Sequence, residues 1–121
     1  QAVTHAGRIY FTGGHNGSDQ SGVYCFDPAT RSVSHVGNMA RARNWHRTIS
    51  VNDTTLITLG DNSRIERYNT ATNQAQLMNA TIPPCSGPGT EYLMRYVWHQ
   101  SENSRLVYFN GPALYEYDYV N

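Results

Sequence analysis

One phrase recurs three times along this chain, and it limits what the chain can fold into. Ile9-Tyr10-Phe11-Thr12-Gly13-Gly14 leads through a polar loop to Val23-Tyr24-Cys25-Phe26-Asp27. Leu56-Ile57-Thr58-Leu59-Gly60-Asp61 leads to Ile65-Glu66-Arg67-Tyr68-Asn69. Val107-Tyr108-Phe109-Asn110-Gly111-Pro112 leads to Leu114-Tyr115-Glu116-Tyr117-Asp118. Each copy is an apolar run, a glycine, a loop, and a short strand ending in an aromatic residue and Asp or Asn. The glycines at 13, 60 and 111 stand 47 and 51 positions apart.

A period near 50 built this way predicts an all-β fold of the kelch-type β-propeller, with four-stranded blades arranged about an axis. The blades are read as residues 1–44, residues 45–91 and an incomplete one at 92–121. About two and a half blades do not close a ring. The chain is therefore expected to be part of a larger propeller, read as seven-bladed, with the remaining blades as its first partners. Neighbouring repeats bury each other's faces, so a partial ring leaves sheet faces uncovered.

The local signals agree with strands and turns. No long segment carries a 3.6-residue apolar period, which predicts essentially no helix. Residues 2–5 and 8–12 flank a turn at Gly7, residues 15–21 form a loop, and residues 22–26 form the next strand. Asp27-Pro28-Ala29-Thr30 is a turn, and residues 32–35 form the outer strand. Residues 46–51, 55–59, 64–68 and 74–77 make the second blade. The breaker-rich residues 79–90 are expected as a surface loop. Residues 92–98, 105–109 and 113–119 make the third.

Charged residues are 15% of the sequence and the net charge is zero. That gives no basic field for nucleic acid. No apolar run reaches membrane-spanning length. Three glycosylation sequons, at Asn16, Asn52 and Asn79, fall in expected loops. Cys25 and Cys85 could pair in an oxidising compartment, although the repeat equivalents of Cys25 are Arg67 and Glu116, which suggests a partly exposed position. Together these features point to an extracellular or cell-surface protein.

The five histidines are scattered without metal-ligand spacing, and the carboxylates form no obvious pair. One stretch is dense in chemistry: Arg41-Ala42-Arg43-Asn44-Trp45-His46-Arg47, at a blade junction. Arg beside Trp can hold carboxylates or sugar hydroxyls through cation–π and forked hydrogen bonds. It can equally pack blades together, with arginines on backbone carbonyls. Arg43, Trp45 and His46 are the candidate ligand-facing residues. No catalytic residue and no metal ligand is assigned.

These residues also carry a resemblance to a family. The phrase at 9–14 with Phe26-Asp27-Pro28-Ala29-Thr30, the segment Met39-Ala40-Arg41-Ala42-Arg43-Asn44-Trp45-His46, and 106–112 ending in Asn110-Gly111-Pro112 resemble the propeller of the galactose oxidase and glyoxal oxidase family. These are secreted copper radical oxidases. The Trp that often follows the Asp-Pro turn in kelch blades is absent; Val33 and Ala75 stand there. The resemblance implies that the position of Trp45 holds, in the oxidases, a copper-ligating tyrosine cross-linked to cysteine. That cysteine would fall before Gln1 and the other ligands in later blades. Indole has only an N–H to offer. The expectation is a non-catalytic extracellular structural or binding module for glycans or protein partners, with no cofactor. The alternative is a copper-dependent oxidase of primary alcohols or aldehydes that releases hydrogen peroxide.

Overall fold

The computed structural model describes residues 1–81, 97–110 and 113–120. They form eleven strands in three antiparallel sheets. The first sheet takes β1 (Ala2–His5), β2 (Arg8–Thr12), β3 (Gln20–Asp27) and β4 (Ser32–Arg43) in chain order. The second takes β5 (His46–Asn52), β6 (Thr55–Gly60), β7 (Asn62–Asn69) and β8 (Gln74–Thr81), again in order. In the third, β10 (Arg105–Asn110) lies between β9 (Trp98–Gln100) and β11 (Ala113–Asp118). A single 3-10 turn, Ser101–Asn103, is the one helical element among the described residues, and no helix there is long and apolar enough to cross a membrane. The architecture is all-β and consistent with part of a propeller.

Order within each sheet follows from short hairpins. Asp27 and Asn69 each turn the chain by accepting a backbone N–H two residues on, at 2.9 Å in both turns. Alternation along the strands then gives every sheet two apolar faces, and the sheets bury them in series. Tyr10, Val23, Cys25 and Met39 of the first sheet pack on Leu56 and Tyr68 of the second. Val51, Ile57, Leu59 and Ile65 of the second pack on Leu106, Tyr108, Tyr117 and Tyr119 of the third. β6 is buried at every position because it lies inside the second sheet, between β5 and β7, and that sheet is packed on both faces. Each fully buried aliphatic side chain there contributes about 1.5–3 kcal/mol. β1 lies against β5, and β4 against β7 and β8, so strands of like rank stand side by side.

Pairing registers refine the repeat. Ile9 faces Phe26, Leu56 faces Tyr68 and Leu106 faces Tyr117. Phe11 faces Tyr24, Thr58 faces Glu66 and Tyr108 faces Tyr115. The structural equivalent of Gly13 and Gly60 is therefore position 110, not Gly111. The third repeat starts one residue earlier than the glycine spacing implies.

Several boundaries also differ from the sequence expectation. β4 does not stop at His35 but runs to Arg43, through shifts in its pairing with β3. Asn79 lies in β8 rather than in a loop. Cys25 is buried, not partly exposed, because the face it shares with Arg67 and Glu116 is covered in the first sheet by the second. Its candidate partner Cys85 lies outside the described residues, as do residues 82–96 of the expected surface loop and third-blade strand.

Candidate functional site

The junction 41–47 carries the chain from β4 to β5, and its side chains divide sharply. Arg43 ends β4 with no solvent exposure. Its Nε donates to Glu66 Oε1 at 2.8 Å, Nη1 to the Gly60 carbonyl at 2.7 Å and Nη2 to the Arg64 carbonyl at 2.6 Å. Glu66 accepts at its other oxygen from the Ala40 N–H, at 2.6 Å. A guanidinium is a planar fork of donors, and here the fork is filled by one carboxylate and two carbonyls. Burial lowers the affinity of Arg43 for its proton, and Glu66 opposes that effect.

His46 begins β5 and is likewise buried. Its Nε2 donates to the Thr12 carbonyl at 3.0 Å, which sets the tautomer, and lies 3.1 Å from Thr12 Oγ1. From Thr12 a run of hydroxyls crosses into the second sheet, with Thr12 to Thr48 at 2.8 Å and Thr48 to Thr58 at 2.9 Å. These buried hydroxyls satisfy one another. Nδ1 of His46 has no hydrogen-bond partner among the described residues. Burial first, then nearby positive charge that includes Arg43, pushes the imidazole down to about 4.

Trp45 is half-buried between these two anchors. Backbone bonds fix the loops around it. Gly14 N–H donates to the Arg43 carbonyl at 2.9 Å, and Asn44 N–H donates to Asp61 Oδ2 at 2.8 Å. His15 and Asp19 meet at 3.3 Å in the exposed β2–β3 loop. The structure thus seals Arg43 and His46 inside the joint between the first two sheets, against the expectation of a ligand-facing surface. The reason is energetic: a buried charge needs full pairing, and Glu66 with two carbonyls supplies it. Of the three candidates, Trp45 alone keeps an open side.

A second histidine was not singled out by sequence. His5, at the far end of the same joint, lies 2.8 Å from Ser50 Oγ and 2.9 Å from Thr70 Oγ1. A His–Ser contact of this length suits a nucleophile and base. Here the other ring nitrogen is taken by a hydroxyl instead of an orienting carboxylate, and the group is buried, so the contact ties two sheets together. Glu66, one of the carboxylates expected to form no obvious pair, is paired with Arg43. Its signal lay in the repeat, where one carboxylate occupies a column filled by Tyr24 and Tyr115. On the rim, an open groove of about 570 Å³ runs between β4 and the β7–β8 turn, lined by Gly37, Asn38, Asn73 and Gln74.

Copper, which the oxidase resemblance would bring, does not fit the described residues. Indole at Trp45 is no ligand, His46 Nε2 is already donating, and no three His, Cys, Asp or Glu residues gather close enough to hold a metal ion. Of the sequons, Asn16, Asn52 and Asn79 are all exposed.

Comparison with known proteins gives one positive match: the kelch motif model fits residues 1–40, which span β1, β2, β3 and most of β4. This supports a kelch repeat in the first sheet and, with it, a propeller of the kind that mediates protein interactions. No curated protein matches the chain.

Proposed function

We propose that this chain is part of an extracellular kelch-type propeller that acts as a non-catalytic structural or binding module for glycans or protein partners. The observation that carries the reading is how the junction 41–47 spends its chemistry. Where the copper radical oxidases place a ligating tyrosine, this chain has Trp45, and the flanking Arg43 and His46 are consumed by bonds between sheets. What remains for recognition is the half-buried Trp45, an aromatic face at the junction between the first two sheets. Such a surface suits a sugar ring or an amphipathic side chain. The exposed sequons at Asn16, Asn52 and Asn79 fit a secreted protein.

Two measurements test this. Copper is titrated into the folded protein and peroxide release is followed with simple primary alcohols and aldehydes. The expected result is no stoichiometric binding and no peroxide; turnover would establish the oxidase reading in its place. Intact-mass analysis of protein from a secreting eukaryotic host should show glycan on Asn16, Asn52 or Asn79. Bare protein at all three would remove the support for an extracellular location.

A further inference from the structure

The loop between β2 and β3, residues 13–19, carries Asn16 followed by Gly17, both exposed. The loop is closed at its base. Gln20 N–H donates to the Gly14 carbonyl at 2.9 Å, and His15 bridges Asp19. At the tip the Asn16 N–H donates to the Ser18 carbonyl at 3.0 Å. Side-chain hydrogen bonds in the loop run from His15 to Asp19 and from Gln20 to Ser18. Two groups are left without a hydrogen bond among the described residues: the Asn16 carboxamide and the Gly17 N–H.

These two groups are the electrophile and the nucleophile of one reaction. Closing a five-membered ring brings the Gly17 nitrogen onto Asn16 Cγ. Gly17 has no Cβ to obstruct the approach, and nothing lies within 4 Å of where one would sit. Its φ of +76° is a conformation natural to glycine. Other asparagines are held back. Asn52 Oδ1 accepts from the Thr54 N–H at 3.0 Å, and its successor Asp53 adds a Cβ and a negative charge. Asn69 Oδ1 accepts from the N–H groups of Ala71 and Thr72, and the Thr70 N–H beside it is tied to the Thr54 carbonyl. Asn79 lies within β8 and precedes Ala80, which packs against the core between the second and third sheets.

We propose that Asn16 is a site of spontaneous deamidation, which converts it to a mixture of aspartate and isoaspartate. Hydroxide takes the Gly17 amide proton. The nitrogen bonds to Asn16 Cγ, and the side-chain nitrogen takes up a proton from water and leaves as ammonia. Water then opens the cyclic imide. Breaking the bond to Cγ gives aspartate; breaking the bond to the backbone carbonyl gives isoaspartate. Water is consumed and ammonia released, with no change of oxidation state. The new carboxylate takes the formal net charge from zero to minus one, in a loop that already holds Asp19. The loop is tied to the junction 41–47 by the Gly14 N–H on the Arg43 carbonyl, at 2.9 Å. Asn16 is also a sequon asparagine. A glycan on its Nδ2 would occupy the leaving nitrogen, so the two modifications exclude each other.

The test uses the full chain from a bacterial host that adds no N-linked glycan. The folded protein is incubated at mildly alkaline pH in heavy-oxygen water and its peptides are mapped by tandem mass spectrometry. Asn16 is expected to gain a carboxyl with one heavy oxygen, at least about tenfold faster than Asn52, Asn69 or Asn79. Isoaspartate should appear with aspartate, and a more acidic species should grow on ion exchange. Asn16→Gln can close only a six-membered ring and should hold its amide over the same interval. An Asn16 that keeps its amide in the folded protein overturns the proposal, as does conversion no faster than at the other three positions. Aspartate without isoaspartate overturns the cyclic route. Neither the copper titration nor glycan analysis of secreted protein bears on these outcomes, so failure here is separate from failure of the functional reading.

Discussion

Arg43 and Glu66 meet at 2.8 Å with both side chains closed off from solvent, one on the last strand of the first sheet and the other in the second. The two residues join sheets that share no strand pairing. Removing one partner of such a pair strands a buried charge, at a cost of about 3–5 kcal/mol, whereas replacing both with apolar groups is far milder. Arg43→Met and Glu66→Met should therefore each destabilise by that amount, and the double variant by much less than their sum. Denaturant unfolding of the four proteins checks this. Additive losses would mean that the pair does not act as a unit.

Gly13 and Gly7 share a left-handed backbone, with φ of +60° and +76°, but not a setting. A Cβ at Gly7 would meet nothing within 4 Å. At Gly13 it would lie 2.5 Å from the Arg43 carbonyl and 2.7 Å from His46 Cε1. Gly7→Ala should cost about 1–2 kcal/mol, the penalty of that conformation alone. Gly13→Ala should cost more, about 3 kcal/mol or beyond, since a backbone carbonyl of the β4–β5 junction must move. Equal thermal shifts in the two variants would contradict the close approach at Gly13.

How much of this was legible follows from the range of each interaction. The strands at 2–5, 8–12 and 55–59 could be read because period-two alternation and turn residues act within a few positions. The glycine spacing sets the third repeat one residue too late, because Gly111 resembles Gly13 and Gly60 in sequence. The pairing of Leu106 with Tyr117 shows that Asn110 stands where Gly13 and Gly60 do. The dense composition of 41–47 is visible in the sequence, but the direction in which its side chains point is not. An arginine defaults to water unless a partner is known, and Glu66 lies 23 positions away with no local mark. The same holds for His5, whose partners Ser50 and Thr70 come from the neighbouring sheet. Contacts between sheets are where sequence is least informative, and here they decide which candidate residues remain free.

The joint between the first two sheets should also weaken in acid. His46 titrates in the fold at about 4, against an ordinary 6.5, with burial as the leading cause, and burial lowers His5 as well. In both cases the folded state resists a proton that the unfolded chain accepts. The unfolded state therefore binds more protons as pH falls below 6.5, and stability drops with pH through the window from 6.5 to about 4. Stability is fully present above that window. For His46 the loss is at most about 3.5 kcal/mol, at about 1.4 kcal/mol per pKa unit. His46→Gln keeps an N–H for the Thr12 carbonyl but cannot titrate. Unfolding midpoints measured from about pH 7.5 to about pH 4.5 should fall less steeply in this variant than in the wild type. Parallel curves would show that His46 is not the group that titrates, and would leave His5, which burial also lowers, as the source of acid sensitivity.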